Sequence, residues 1–484
     1  MSSDKENREV ISGTAWSLLS RIIQVVVKSG AVIFLARFLG ANEFGLFMLV
    51  ISISTIATAF IDIGISPGTA RLLAENRYNN KELIRKSILL LSLTSIGVLA
   101  ICYIGFPWLS DLLSARELSD VNQLVIVLIF SLIVQKYLMK VFEGSRQVIS
   151  FGKIYSLAGW LPWFLSFFFV LVQGENVVWA VTGYTIGFLV LDVMLAINFA
   201  KYYIGQKEEG ESVNYKKIFR YALPMIATTA SLYIYTQSDI LLIQYFLGAE
   251  AVGIYGSAIK LIEASMVGAM AIGNGSSAYF PLMKSKGAAA FKRIIVYTTK
   301  TIKLLYLPVA GAIILSSYGI INLLYGVEYI NAHVILLIYV PYIICRALSC
   351  VYSPGLDYLG LADQRAMAVG VSALLNVVLN IILIPRFGIE GAAVATQLTY
   401  TPLILAYLIY MFKSVDIGFK GYFNIFWKIY LVWLALLTLA GAVSYYTTIH
   451  SIVLAVVFGV LFFLFNFFLK EINFKALKTS LRRE

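Results

Sequence analysis

About fourteen long apolar stretches divide the sequence, and each is near the ~20 residues that a helix needs to cross a bilayer. The loops between them alternate in charge. Roughly 28 of the 38 Lys and Arg residues lie at the termini and in every second loop, about 3 lie in the other loops, and about 7 lie inside the stretches. Because positive loops stay in the cytoplasm, the pattern predicts a multi-pass protein of the cell membrane with both termini cytoplasmic.

The composition excludes an ordinary soluble domain: 60% of the residues are hydrophobic and only 13% are charged. The net charge of +12 is concentrated in short loops beside the membrane, where it sets topology and contacts membrane lipid, so no nucleic-acid partner is expected. The two histidines are far apart in the sequence, which argues against a histidine metal centre. We therefore predict no cofactor other than a coupling ion, Na⁺ or H⁺.

A ten-residue pattern occurs twice, at 38–47 and at 246–255, as Phe-Leu-Gly-Ala, three variable residues, Gly, an aliphatic residue and an aromatic residue. Both copies fall on loops predicted to be outer, so the two halves have parallel topology. Each copy predicts a tight turn that glycine permits between two packed helices, and a weaker third copy surrounds Gly388. The predicted fold is all-α, with two six-helix lobes and two further helices, divided into an N-terminal lobe (1–200), a cytoplasmic linker (201–217), a C-terminal lobe (218–414) and an additional helix pair with a cytoplasmic tail (415–484).

The order of several short motifs resembles the polysaccharide flippases of the multidrug/oligosaccharidyl-lipid/polysaccharide exporter superfamily. The residues that carry this resemblance are Gly13, Trp16, 35–40, 43–45, 221–224, 239–242, Asn376, Asn380, 384–385 and 388–393. The resemblance covers nearly the whole chain. It implies a MATE-like fold and an alternating-access carrier of undecaprenyl-pyrophosphate-linked sugars for surface polysaccharides such as O-antigen, not an enzyme.

Polar residues recur on the first helix at spacings of four, three and four: Ser17, Arg21, Gln24 and Lys28. This places one polar stripe on an otherwise apolar helix, and such a stripe faces the bundle interior or a water-filled cavity. Fixed cations lower the barrier for a pyrophosphate group that crosses the membrane. We predict that Arg21, Gln24 and Lys28 line the path of the substrate headgroup; structural pairing with buried carboxylates is the alternative.

Two cations of the second half are candidates for the far wall of that cavity. Lys260 lies in the outer part of the eighth predicted helix, and Arg346 lies near the middle of the tenth. Glu263 is three residues from Lys260, so a local ion pair competes with a ligand role.

Four further lysines lie nearer the predicted cytoplasmic ends of their helices. Lys300 and Lys303 are expected to extend towards the interface or to attract the phosphate. Lys136 and Lys140, with Glu143, are expected at the surface.

Three acids are candidates for ion coupling or gating: Asp62, Asp192 and Asp239. An intramembrane carboxylate binds a proton or sodium ion, or it pairs with a buried cation. For Asp62, pairing is favoured, either with one of the buried cations or with Arg71. Asn376 and Asn380 are expected to join helices through hydrogen bonds, and packing is expected for Trp160 and Trp163.

We therefore expect a carrier that flips a lipid-linked oligosaccharide from the inner to the outer leaflet. Polysaccharide polymerase or assembly proteins are the expected protein partners. A MATE-type multidrug or cation antiporter is the alternative, although its cationic substrates favour an acidic cavity and the buried excess here is basic. A membrane glycosyltransferase or polymerase is disfavoured because the predicted outer loops are short.

Overall fold

The computed structural model describes the backbone of residues 2–145, 154, 156–206, 209–415, 419–446 and 450–469. These residues form an all-helical chain, which confirms the predicted fold class. The main helices are α1 (Ser2–Asp62), α2 (Ile65–Ala74), α3 (Asn80–Leu112), α4 (Asn122–Gly144), α5 (Leu161–Gln173), α6 (Val177–Ile204), α7 (Tyr215–Leu247), α8 (Ala249–Ser265), α9 (Val267–Ser277), α10 (Phe280–Ser285), α11 (Ala288–Leu324), α12 (Ala332–Ile338), α13 (Val340–Leu359), α14 (Ala362–Val415), α15 (Phe419–Tyr446) and α16 (Ser451–Phe468).

The glycines of the repeated motif interrupt the helices as predicted. Gly40 (φ 72°) breaks α1 into two segments, Gly388 (φ 63°) does the same in α14, and Gly248 (φ 89°) separates α7 from α8. These are left-handed backbone conformations that residues with a side chain rarely adopt. The motif therefore turns the chain sharply between consecutive helices without a loop.

Eight helices of the described chain are long and apolar enough to cross a membrane, and the number rises to ten if each bent pair, α8 with α9 and α12 with α13, is one span. A multi-pass membrane protein is thus confirmed. Two of the eight candidates, of 39 and 53 residues, contain the breaks at Gly40 and Gly388 and exceed the length that one crossing needs. The predicted number of about fourteen spans stays a prediction.

The two copies of the repeated motif pack against each other. A Cβ atom at Gly45 would lie 2.7 Å from the carbonyl carbon of Ala249, and one at Gly253 would lie 2.8 Å from the carbonyl carbon of Ala41. Gly45 and Gly253 hold the same position in their copies, as do Ala41 and Ala249, so the contact is reciprocal. Only residues without side-chain bulk allow backbones to approach this closely within a membrane.

The predicted linker 201–217 is docked on the segment that joins α2 to α3. Tyr78 and Glu211 form a parallel β-bridge, and Arg77 Nε donates to Glu211 Oε1 at 2.8 Å. That hydrogen bond and the glutamate charge raise the pKa of the Arg77 guanidinium. Lys86 Nζ donates to the backbone oxygen of Val213 at 2.6 Å. The described part of the linker is therefore anchored to the loop before α3 and to α3 itself.

The C-terminal helices α15 and α16 pack against α11 through a buried apolar core. A Cβ atom at Gly311 of α11 would lie 2.5 Å from Phe458 Cζ of α16. Trp433 Nε1 of α15 donates to the backbone oxygen of Leu307 at 2.6 Å. The core residues include Leu307, Phe426, Ile429, Leu436, Phe458 and Phe462.

The chain forms two compact units, residues 1–260 with 380–388 and residues 261–379 with 389–484. Helix α7 thus belongs to the first unit, because it packs against α1 and α2. The division into lobes, linker and additional helices expected from the sequence stays a prediction.

Candidate functional site

Two of the predicted cavity cations meet on one aromatic ring in the first unit. The Nζ atoms of Lys28 in α1 and Lys260 in α8 each lie 5.5 Å from the centroid of the Trp163 ring. Both lysines are half-buried, and Trp163 is 5% exposed. At such distances an ammonium group is attracted to the face of an indole. The structure therefore brings together one lysine from each half of the sequence.

Two neighbouring rings fix the orientation of Trp163. The ring centroid of Phe47 lies 5.8 Å away with an interplanar angle of 85°, and that of Tyr184 lies 5.1 Å away at 73°. Edge-to-face arrangements of this kind are favourable for aromatic pairs. The packing expected for Trp163 is present, whereas its second contact, with the two lysines, was not predicted from the sequence.

Helix α5, which carries Trp163, lies directly on α6. A Cβ atom at Gly187 would lie 2.5 Å from Pro162 Cα, and one at Gly183 would lie 2.7 Å from the carbonyl carbon of Leu165. The two glycines are one helical turn apart, so they open one face of α6 to the backbone of α5. This close packing fixes the backbone position of Trp163.

The polar stripe of the first helix faces the same segment. Gln24 fills the space beside Gly159, where a Cβ atom would lie 2.6 Å from Gln24 Cγ. Lys28, one turn later, reaches Trp163. The backbone of Arg21 is helical, but its side chain lies outside the described residues.

Arg346 lies in the second unit, where a tyrosine orients it. Its Nη1 donates to Tyr400 Oη at 3.1 Å, and the Tyr400 hydroxyl donates to Ser349 Oγ at 2.9 Å. Arg346 is half-buried. Because a tyrosine hydroxyl is a neutral partner, this contact orients the guanidinium without neutralising its charge.

Asp62 is completely buried and forms an ion pair. Lys136 Nζ of α4 lies 3.0 Å from Asp62 Oδ2, and Asp62 Oδ1 accepts hydrogen bonds from the backbone N–H (2.9 Å) and the hydroxyl group of Ser66. The structure therefore favours pairing for Asp62. It corrects the expectation that Lys136 is a surface residue, because an intramembrane acid draws a nearby cation inwards. Lys140 pairs with Glu143 at 2.6 Å near the surface.

Asp192 has a neutral partner. The hydroxyl group of Ser131 in α4 donates to Asp192 Oδ2 in α6. Asp192 Oδ1 is buried and has no hydrogen-bond partner within the part of the chain that the structure describes. A carboxyl group in such a place is suited to carry a proton.

Asp239 joins three helical segments of the first unit. It is 5% exposed and accepts hydrogen bonds of 2.7 Å from the Tyr255 hydroxyl and from Asn380 Nδ2. In the second unit, Asn376 Nδ2 donates to Thr396 Oγ1 at 3.2 Å. Both asparagines thus join helical segments through hydrogen bonds, as expected.

Lys303 is fully buried, which corrects the expectation that it extends towards the interface. Its Nζ atom lies 3.7 Å from the ring centroid of Phe426 and 4.8 Å from that of Tyr430, both in α15. The periodicity of α11 alone does not indicate this contact, since the two rings come from a distant helix. Lys300 is half-buried.

Comparison with known proteins places these features in context. Residues 10–285 match the family described as polysaccharide biosynthesis protein. The chain is 24% identical to a Haloferax volcanii protein named as the low-salt glycan biosynthesis flippase Agl15, over 81% of each chain. It is also 24% identical to a Shigella flexneri protein named as an O-antigen transporter, over 80% of this chain and 94% of that one.

Two solved structures show the same fold. The lipid II flippase MurJ in an inward closed conformation matches 94% of this chain and 99% of its own, with a TM-score of 0.78 and 15% identity. An inward-facing MATE multidrug transporter matches 82% of this chain and 98% of its own, with a TM-score of 0.61 and 14% identity. The MATE-like fold is therefore confirmed. The Haloferax volcanii and Shigella flexneri relatives are named as a flippase and a transporter, in agreement with the prediction that the chain is not an enzyme.

Proposed function

Because the chain belongs to the polysaccharide biosynthesis protein family, we propose that it flips an undecaprenyl-pyrophosphate-linked oligosaccharide from the inner to the outer leaflet by alternating access. The Haloferax volcanii and Shigella flexneri relatives, named for glycan flipping and O-antigen transport, support the class of substrate. The positive loops support cytoplasmic termini. Such a reaction supplies flipped oligosaccharide to surface polysaccharide polymerases or assembly proteins, and we propose these proteins as partners.

The observation that carries the proposal is the meeting of Lys28 and Lys260 on Trp163. Two cations within apolar helices are costly, at ~2.5–3.5 kcal/mol each on insertion scales. A substrate with a diphosphate group gains from them, because cations along its path offset the loss of hydration. We place Arg21, Gln24, Lys28, Lys260 and Arg346 along the headgroup path.

The polyprenyl chain has an apolar surface available outside that path. A pocket of about 230 Å³ lies between α15 and α16, and its walls are apolar side chains such as Leu439, Val443, Val457 and Leu461. Such a surface offers no polar group for a sugar but accepts hydrocarbon. We propose that the lipid tail lies against this helix pair during transport.

Ion coupling is proposed at Asp239, a buried carboxylate that accepts hydrogen bonds from the neutral side chains of Tyr255 and Asn380. Asp192 is the second candidate, and Asp62, which is paired, is the third. The Asp239→Asn variant is expected to abolish the dependence of the flipping rate on pH or Na⁺. A wild-type rate that is independent of both would exclude coupling.

The lipid-linked oligosaccharide pool tests the function directly. A strain that lacks the protein is complemented with the wild type, with Arg21→Gln/Lys28→Gln, or with Lys140→Gln, which removes a cation of the surface pair and serves as the control. In the deletion strain, oligosaccharide is expected to accumulate on the cytoplasmic face of the membrane. The wild type and the control variant are expected to restore the normal pool. The double variant, present at the same level in the membrane, is expected to fail.

An unchanged pool in the deletion strain would contradict flipping. The MATE-type antiporter would then be the better hypothesis, since the solved MATE transporter shares the fold. Sensitivity of the deletion strain to cationic toxins is the corresponding measurement.

A further inference from the structure

The start of α5 collects polar side chains from two other helices. Gln24 lies against Gly159, two residues before the helix begins. Lys28 and Lys260 both reach Trp163, the third residue of the helix. A single short segment thus meets the stripe of the first helix and a cation of the second half.

The indole ring offsets part of the repulsion between the two lysines. Each ammonium group at 5.5 Å from the ring centroid interacts with the negative face of the π system, an attraction that grows as water is removed. The ring has little freedom to move, because Phe47 and Tyr184 pack edge-to-face against it. Trp163 therefore gives both ammonium groups one fixed surface to contact.

The helix terminus adds positive potential at the same place. Helix α5 begins at Leu161, and the preceding residue, Trp160, makes no side-chain cap hydrogen bond. The first N–H groups of a helix carry its positive dipole end. Trp163 itself lies in this first turn, so the ring that both lysines approach is carried by the N-terminal turn of a helix. The local chemistry suits an anion with more than one charge.

We propose that Trp163 is a positioning residue that holds Lys28 and Lys260 as a pair to receive the diphosphate group of the substrate. This inference rests on the proposed function and names the part of the substrate that the pair contacts. Two separate cations match a diphosphate better than a monophosphate, since each can neutralise one phosphate. Trp163 acts through the lysines and does not itself contact the phosphates.

Binding of inorganic pyrophosphate to the purified full-length protein in neutral-lipid nanodiscs tests the pair. The Trp163→Leu variant is expected to bind pyrophosphate at least tenfold more weakly, whereas Trp163→Phe keeps an aromatic face and is expected to stay within about threefold of the wild type. Trp179→Leu, in α6, is the matched control and is expected to bind like the wild type. The thermal transition of each variant reports its folding.

A second measurement separates positioning from packing. In a Lys28→Gln/Lys260→Gln background, Trp163→Leu is expected to cause no further loss of pyrophosphate affinity, because the residues through which it acts are gone. A purely structural tryptophan would lower affinity by the same factor in both backgrounds, which would overturn the inference whether or not the variant is less stable.

The two proposals fail in different ways. If the wild type rescues the oligosaccharide pool but the Trp163→Leu variant binds pyrophosphate as tightly as the wild type does, the positioning role is overturned and flipping is left intact. If the oligosaccharide pool is unchanged in the deletion strain, flipping is overturned. Tight pyrophosphate binding that is lost in the Trp163→Leu variant would still support the pairing of Lys28 and Lys260. Equal affinity of the wild type for monophosphate and pyrophosphate overturns the assignment of a diphosphate.

Discussion

The carboxylate of Asp62 lies 3.0 Å from the ammonium group of Lys136, and the Asp62 side chain is fully buried. This pair joins α1 to α4 inside the first unit. Removing one partner of a buried ion pair leaves an uncompensated charge, at a cost of about 3–5 kcal/mol, whereas replacing both is often nearly neutral.

We therefore expect Asp62→Asn or Lys136→Met alone to lower the thermal transition temperature of the detergent-solubilised protein markedly. The Asp62→Asn/Lys136→Met double variant is expected to recover most of the loss. Transition temperatures that fall by the sum of the two single effects would show that the residues are not coupled.

The reciprocal glycine contact predicts a position-specific effect of a single methyl group. Gly253→Ala is expected to lower stability and flipping, because its Cβ would lie 2.8 Å from the backbone of Ala41. The matched control is Gly256→Ala, one turn further along α8, whose Cβ would meet the flexible side chain of Met48 at 3.2 Å. Equal melting temperatures and flipping rates for the two variants would contradict the close packing of the motifs.

The contact of Lys303 with the Phe426 ring predicts a measurable coupling. Phe426→Leu is expected to destabilise the protein by more than Phe423→Leu, since Phe426 is fully buried and Phe423 is 57% exposed. In a Lys303→Met background the cost of Phe426→Leu is expected to fall by up to ~2 kcal/mol, the size of a desolvated cation–π interaction. Urea or thermal unfolding of the wild type, Phe426→Leu, Lys303→Met and the double variant gives the interaction energy. An interaction energy of zero would contradict the contact.

The docked linker predicts a change in protease sensitivity. Gly210 has a φ of 113°, and a Cβ there would lie 2.7 Å from the carbonyl carbon of Tyr78. Gly210→Ala is therefore expected to release the linker and accelerate cleavage after Lys201 or Lys217. Gly205→Ala, whose nearest neighbour would be 3.5 Å away, is expected to leave the cleavage rate unchanged. Identical digestion of both variants would contradict the docking.

The sequence by itself determined the class of fold and much of its local geometry. Apolar stretches of bilayer length leave the chain few alternatives to membrane helices, since only helices and closed barrels satisfy the backbone in lipid. The glycines at 40, 248 and 388 predicted the sharp turns because few other residues tolerate positive φ. The polar stripe predicted that Gln24 and Lys28 face protein, since polar groups on a membrane helix avoid lipid.

Only the tertiary structure decided which of these side chains meet. Lys28 and Lys260 are more than two hundred residues apart in the sequence, and their common contact with Trp163 depends on how α1, α5 and α8 pack. From the sequence, Lys136 and Lys303 are predicted to lie near helix ends. In the structure, Lys136 pairs with Asp62 and Lys303 lies against Phe426. Helical periodicity specifies the face on which a residue lies, whereas its partner is specified by packing between helices that are distant in the chain.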